Sequence, residues 1–272
     1  MTTATINPTT EAVTTMPARS TEIEPIPFRT VLGVELRKMF DTRSGFWLMM
    51  GIGAAGVLAT TLVVLLSKRS DLSYDSFAGA IGVPMTILLP VLAILAVTGE
   101  WTQRAGLTTF TLVPHRGRVI RAKFVGTLAV GVASMALAMA IGAIGNLVGS
   151  AVAGVSPTWD LSPTAIAYIV GADLVGMLVG FMLGVLTRNS AGAIVGYFSY
   201  WFVVPTLSML LAANQSWFEK AQPWVDFSFN QNRMYDGSFG AQDWAQFATT
   251  GVVWLGLPLA FGLWRVLRAE VK

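Results

Sequence analysis

The stretch FWLMMGIGAAGVLATTLVVLL, residues Phe46–Leu66, decides the fold class because it contains 21 consecutive residues without a charge. About 20 apolar residues in a helix cross the roughly 30 Å hydrocarbon core of a bilayer. Five further apolar stretches of 21 to 26 residues follow at roughly Ala78–Thr98, Phe124–Gly149, Thr164–Leu186, Ala191–Ala212 and Trp244–Trp264. Backbone groups in lipid need partners within their own segment, so continuous runs predict helices and not the short alternating strands of a barrel. The sequence predicts an all-α membrane protein with six transmembrane helices.

The composition supports the same class. Of the 272 residues, 54% are hydrophobic and only 12% are charged, with a mean hydropathy of +0.62. Soluble domains carry about 25% charged residues, so this chain has too few to cover a globule in water. The pI of about 9.4 would suit nucleic acid, but the basic residues gather at the ends of the predicted spans. We therefore expect membrane lipid, and no nucleic acid, as the surrounding partner.

The distribution of Lys and Arg predicts the orientation. Fourteen of the 18 fall on one side of the predicted spans, and only Lys68, Arg69, Lys220 and Arg233 fall on the other. Positively charged segments stay in the cytoplasm, so both termini are predicted to be cytoplasmic, in the cell membrane. Residues 1–27 are rich in Thr, Pro and Glu and are predicted to be a disordered cytoplasmic tail. Residues 28–272 then form the six-span domain.

Two cytoplasmic segments are candidates for contact with partners. Residues Phe28 to Arg43 predict an amphipathic helix in the interface plane, with Arg37 and Lys38 opposite the apolar face and Glu35 unexpectedly on the apolar arc. Such a helix either only prepares insertion of the first span or also contacts a partner. The second segment, Gly99–Lys123, predicts a short helix outside the membrane, which Pro114 ends.

The predicted outer side is small except for Ala213–Asp243. This stretch contains seven aromatic residues: Trp217, Phe218, Trp224, Phe227, Phe229, Tyr235 and Phe239. Aromatic side chains concentrate at the headgroup level, so the stretch is either an ordinary aromatic belt or a re-entrant segment that protein covers.

Asp173 is the only acidic residue in the interior of a predicted span. An ionised Asp there costs about 2.5–3.5 kcal/mol on insertion scales, so it rarely faces lipid. Gly176, Gly180 and Gly184 share its helical face in the run GMLVGFMLG, and this doubled GxxxG allows another helix to approach closely. Asp173 therefore points to a packing partner or a cavity. A structural hydrogen bond, a place on a translocation path and a proton relay remain open.

Several kinds of chemistry lack their residues in this sequence. No lysine follows a glycine, so the phosphate-binding motif GxxxxGK[ST] is absent. There is no HExxH motif and no cysteine, and the single histidine, His115, lies in a predicted cytoplasmic loop. We therefore expect no catalysis, no cofactor and no metal site in this chain.

These features together resemble the permease subunit of an ABC-2 type transporter. The stretch FRTVLGVELRKMFDTRSGFWL resembles the interfacial "elbow" helix of that family, and GEWTQRAGLTTFTLVPHRGRVIRAK resembles the pattern that follows its second span. Leu107 stands between Gly106 and Thr108, where the family usually has Gly and Thr adjacent. The aromatic stretch before the last span fits the outer re-entrant region of the family. The matching residues of the second pattern are Gly99, Glu100, Gly106, Leu107, Thr108, Leu112, Pro114, Arg118 and Lys123.

The resemblance implies partners and roles. It implies an exporter with separate ABC ATPase subunits and with a second permease copy or paralogue, in a homodimer or a heterodimer. The segment Glu100–Pro114 would be the coupling helix that docks on the ATPase, through residues Glu100, Trp101, Arg104, Gly106, Leu107, Thr108 and Pro114. The interfacial helix would use Phe28, Glu35, Arg37 and Lys38.

Two other readings of the sequence remain. A membrane-embedded substrate-binding or assembly subunit of another transporter complex also has about six spans, and would bury a ligand pocket open to the outside. A secondary transporter would usually show internal repeats and several ionisable groups at the midplane, and this sequence has one such group.

Overall fold

The structure is a computed structural model that describes residues 26–102 and 116–268. Within these two stretches every regular element is a helix, which agrees with the predicted fold class. Of the predicted tail, only residues 26 and 27 belong to the described part. The elements are α1 (Phe28–Asp41), α2 (Arg43–Leu66), α3 (Tyr74–Thr102), α4 (Arg116–Ala153), α5 (Pro163–Thr187), α6 (Ser190–Asn214), α7 (Ser216–Val225), α8 (Phe227–Arg233) and α9 (Ala241–Arg268).

Six of these helices are long and apolar enough to cross a membrane: α2, α3, α4, α5, α6 and α9. Their number and order confirm the predicted count, although several helices extend beyond the predicted bounds. At about 1.5 Å per residue, the 38 residues of α4 measure about 57 Å, so this helix projects well beyond a bilayer core. Residues 116–123, ahead of the predicted third span, belong to this projecting part.

The helices place the two kinds of loop at opposite ends of the bundle. We call one end the basic end; it comprises α1, the last turns of α3, the first turns of α4, residues 187–190 and the end of α9. The other is the aromatic end, which comprises residues 67–73, 154–162 and 215–240. At the basic end, α5 ends at Thr187 and the side chain of Asn189 caps α6 by accepting from the Gly192 amide. Arg188 between them has a left-handed backbone (φ 55°), which allows the chain to turn tightly from α5 into α6.

Helix α3 lies at the centre of the packing. It contacts α2, α4, α5 and the first half of α6, and α9 packs on α5. Its buried side chains include Phe77, Met85 and Leu89, each fully inaccessible. Helices α6 and α9 bury far less of their surface than α3 and α5 do, so they lie at the periphery of the single chain.

The prolines in α6 and α9 follow a local change in helix geometry. A five-residue π-helical turn at Ser199–Val203 precedes Pro205, and another at Val252–Gly256 precedes Pro258. Proline has no N–H to donate to the preceding turn, so the backbone hydrogen bonds beside it change their spacing. The Val204 N–H donates to the Ser199 carbonyl and the Leu257 N–H donates to the Val252 carbonyl, each five residues back. The two peripheral spans share this irregularity.

The aromatic stretch before the last span is helical and not an open loop. Helices α7 and α8 and a 3₁₀ turn at Met234–Asp236 occupy most of residues 213–243. Asp226 caps α8 by accepting from the Phe229 amide at 3.1 Å. The sequence pattern indicated the aromatic content but not these two short helices.

Candidate functional site

Three ionisable side chains meet at the basic end, and we call Glu35, Lys38 and Lys123 the buried charge cluster. Glu35 is 3% exposed and Lys123 is 5% exposed, while the side chain of Lys38, at the edge of the cluster, is 40% exposed. Lys123 Nζ donates to Glu35 Oε2 at 2.5 Å, and Lys38 Nζ donates to Glu35 Oε1 at 2.8 Å. Lys123 Nζ also donates to the carbonyl oxygen of Ala96 at 3.1 Å. Glu35 thus joins α1 to α4, and Lys123 joins α4 to α3.

Helical spacing explains why Glu35 is buried. Val31 and Met39 lie one turn before and one turn after it, and both are buried against the bundle. A buried carboxylate is costly unless it is paired, and here the two lysines supply the opposite charge. Leu32 and Leu36 pack nearby over Gly126 of α4, where a Cβ would lie within 3.6 Å of each side chain. Glu35, the charged residue on the apolar arc of α1, therefore forms an ion pair with α4 within an otherwise apolar contact.

The other residues predicted for the interfacial helix lie away from this contact. Phe28 begins α1 and is 37% exposed. Arg37 and Asp41 are both highly exposed and form a loose ion pair with an N–O distance of 3.8 Å. An exposed pair of this kind contributes about 0–1 kcal/mol. Of the predicted set, Glu35 bonds to another helix, and Lys38 pairs with Glu35 within α1.

The predicted coupling segment is described only at its start. Helix α3 continues through Glu100, Trp101 and Thr102, and α4 begins at Arg116. Trp101 is half-buried and packs against the main hydrophobic core. The other predicted coupling residues, Arg104, Gly106, Leu107, Thr108 and Pro114, lie outside the described residues. Ala96, which accepts from Lys123, lies six residues before the end of α3, and Lys123 lies seven residues after the start of α4.

The glycines of α5 form the contact with α3. A Cβ on Gly180 would lie 2.6 Å from the carbonyl oxygen of Pro90 and 2.9 Å from its Cα. A Cβ on Gly184 would lie 3.3 Å from the Val97 side chain, and one on Gly176 would lie 3.0 Å from Gln231. The doubled GxxxG thus brings two backbones together at Gly180, while Gly176 faces the segment that contains α8.

Asp173 lies on the same side of α5 and is 1% exposed. The hydroxyl of Tyr235 donates to its Oδ1 at 3.1 Å, and its Oδ2 has no hydrogen-bond partner in residues 26–102 and 116–268. The partner therefore comes from the aromatic stretch before the last span and not from a neighbouring span. A role for Asp173 on a translocation path stays a prediction.

The contacts of Tyr235 and Gln231 show how far this stretch enters the bundle. Asp173 is about 15 Å from the start of α5 at 1.5 Å per residue, and Gln231 Nε2 donates to the adjacent Ala172 carbonyl at 3.0 Å. Tyr200 of α6 donates to Gln231 Oε1 at 2.7 Å, and Trp254 of α9 donates to the Val225 carbonyl at 2.7 Å. Helices α7 and α8 are therefore held between α5, α6 and α9, below the level at which α5 begins.

Sequence reasoning did not identify the pairing of Glu35 with Lys123, or the buried polar side chains of α8. The sequence did contain a signal for the pairing of Glu35, because a carboxylate on an apolar arc requires a cation. The 88 residues that separate Glu35 from Lys123 hid which cation it was. The buried polar side chains of α8 had no comparable signal, since short helices rich in Asn, Gln and aromatic residues lack a clear apolar period.

Comparison with known proteins gives one finding at the level of the family. The family model described as ABC-2 family transporter protein matches residues 9–271, which is nearly the whole chain. A search of curated proteins found no match.

Proposed function

The chain belongs to the ABC-2 transporter family, and from this membership we propose that it is the permease subunit of an ATP-driven exporter. In this proposal a separate ABC ATPase docks at the basic end. The permease pairs with a second copy or a paralogue. The complex resides in the cell membrane with both termini in the cytoplasm.

The sequence supports a complex in which this chain is the membrane component and a separate subunit hydrolyses ATP. The family consists of membrane components of ABC transporters, and membership implies association with an ABC ATPase component. The chain has no GxxxxGK[ST] motif with which to hold the phosphates of ATP. ATP hydrolysis is therefore expected on the partner.

The geometry of the basic end is the observation that supports coupling there. Residues 103–115 connect α3 to α4, and the buried charge cluster ties both helices and α1 together near the two ends of that connection. A displacement of the connecting segment by a docked ATPase would reach two spans and the interfacial helix at once. Transmission between sites requires contacts that differ between two states. In this proposal those contacts are the Glu35–Lys123 ion pair and the hydrogen bond from Lys123 to the Ala96 carbonyl.

The ATPase that co-purifies with the full chain provides the test. We expect Arg104→Ala to reduce stimulation of its ATP hydrolysis by at least about fivefold, the lower end of typical coupling effects. The matched control is Arg69→Ala, because Arg69 is exposed at the aromatic end and is not part of the proposed docking surface. Thermal unfolding of both variants should match that of the parent protein.

Two results would overturn the proposal. One is that no ABC ATPase co-purifies with the chain, which would favour a substrate-binding or assembly subunit of another complex. The other is that Arg104→Ala stimulates a co-purified ATPase as well as the Arg69→Ala control does.

A further inference from the structure

The last turns of α9 carry exposed aromatic and basic side chains at the basic end. Phe261, Trp264, Arg265 and Arg268 are three or four residues apart, so they lie on one side of the helix. All four are exposed, whereas Gly262, on another side of the helix, packs on α5. We call these four exposed residues the α9 row. The rest of the single chain leaves this side of α9 uncovered.

The two arginines of the row lie over its two aromatic rings. The Phe261 and Trp264 rings are stacked, with centroids 5.9 Å apart and an angle of 22° between their planes. Arg265 Cζ is 5.9 Å from the Phe261 centroid, and Arg268 Cζ is 4.9 Å from the Trp264 centroid. Cation–π attraction therefore holds each guanidinium over a residue one turn earlier in α9. Because α9 runs towards the basic end, both groups are drawn back towards the middle of the span.

The charge of the row is positive. Among the described residues, no carboxylate forms an ion pair with Arg265 or Arg268. A guanidinium over a ring still has N–H groups with which to donate, and their fork matches two oxygens of a phosphate. The row therefore presents two positioned, charged donors to an anionic phosphate group.

The length of the exposed side of α9 fits a phospholipid. Val253 and Leu257 are also exposed and continue an apolar surface from Phe261 towards the middle of the span. Leu257 and Arg268 are eleven residues apart, which corresponds to about 17 Å of helix. One leaflet contributes about 15 Å of hydrocarbon, half of the bilayer core. A phosphate bound at the arginines therefore allows its acyl chain to follow this surface to the bilayer centre.

A protein partner fits the α9 row less well than a lipid does. A second copy of the chain, docked with the row at the two-fold axis, would bring the same arginines face to face, and like charges repel at such distances. A soluble protein reaches only the end of the span, whereas the row begins two turns earlier at Phe261.

We propose that the α9 row binds one anionic phospholipid of the leaflet at the basic end. Its phosphate accepts hydrogen bonds from Arg265 and Arg268, and an acyl chain packs along Phe261 and Leu257. Trp264 positions Arg268 through the cation–π contact. The site goes beyond the proposed function, since its occupancy requires neither an ATPase nor transport.

Native mass spectrometry of the purified, delipidated full chain, titrated with phosphatidylglycerol, tests the proposal. It measures the dissociation constant of the first bound lipid. We expect Arg265→Gln/Arg268→Gln to weaken this binding by about thirtyfold, at about fivefold for each basic residue beside an anionic headgroup. The matched control is Arg29→Gln/Arg43→Gln, which removes the same charge from exposed positions at the same end and should change the first binding far less.

Two further measurements separate a defined site from general attraction to the basic end. Trp264→Leu keeps both charges and should weaken binding by about twofold to fivefold, the effect of an exposed cation–π contact. Zwitterionic phosphatidylcholine should bind the parent weakly and Arg265→Gln/Arg268→Gln equally weakly. Thermal unfolding should be unchanged in all variants, because the substituted side chains are exposed.

Four results would overturn the proposal. They are equal losses in the two double variants, unchanged binding in Trp264→Leu, equal affinity for the two lipids, and a dimer that dissociates in Arg265→Gln/Arg268→Gln. The last result would assign the α9 row to a contact between copies of the chain. Because no ATPase takes part, each outcome is independent of the coupling test.

Discussion

Replacing Glu35 with Ala is expected to lower the free energy of unfolding by about 3–5 kcal/mol, the usual cost of removing one member of a buried ion pair. The substitution removes the carboxylate that accepts from Lys38 and Lys123 at 2.8 and 2.5 Å, and leaves the two ammonium groups near one another. It also removes the ion pair between α1 and α4. Equilibrium unfolding of the purified protein in mixed micelles measures the effect.

The control for this substitution lies on the same helix. Asp41→Ala removes another carboxylate of α1, but Asp41 is 69% exposed and its distance to Arg37 is 3.8 Å. Its expected cost is at most about 1 kcal/mol. If Glu35→Ala is no more destabilising than Asp41→Ala, then the buried charge cluster does not hold α1 to the spans.

Replacing Gly180 with Ala is the second large perturbation. The added Cβ would lie 2.6 Å from the Pro90 carbonyl oxygen and 3.0 Å from its carbon, so backbone and not a flexible side chain must move. Overpacking of this kind costs about 1–3 kcal/mol, and we expect the upper part of that range because α3 is the central helix. The same unfolding experiment measures the cost.

Two further glycines give a graded comparison. Gly184→Ala meets the Val97 side chain at 3.3 Å, which a small adjustment relieves, so its cost should be smaller. Gly79→Ala in α3 meets no atom within 4 Å and should be neutral, or stabilising by about 0.5–1 kcal/mol through helix propensity. If Gly180→Ala lowers the free energy of unfolding no more than Gly79→Ala does, then α3 and α5 do not approach closely at Pro90.

The spans were predictable from the sequence because length and hydropathy alone determine which segments cross a bilayer. Phe46–Leu66 lies within α2, which ends at the same residue. The doubled GxxxG also indicated that α5 has a packing face, since small residues at a four-residue spacing leave a groove. The sequence did not show that Pro90 of α3 fills this groove, because partner choice between helices depends on the whole bundle.

The polar contacts were less predictable for a physical reason. The sequence leaves three roles open for Asp173, and its local pattern does not indicate that Tyr235 of the aromatic stretch donates a hydrogen bond to it. Helices α7 and α8 are stabilised by contacts with α5, α6 and α9, such as that between Trp254 and Val225. Local sequence patterns do not encode contacts that form only after the spans have assembled.

We propose that the basic end of the bundle faces the cytoplasm, where an ATPase can dock. The chain has no cysteine, so each single-cysteine variant carries a unique label site. Thr30→Cys probes the basic end and Ser216→Cys the aromatic end, and both positions are exposed. A membrane-impermeant maleimide on intact cells should label Ser216→Cys at once and Thr30→Cys only after permeabilisation. Labelling of Thr30→Cys from outside intact cells, with Ser216→Cys protected, would contradict the account.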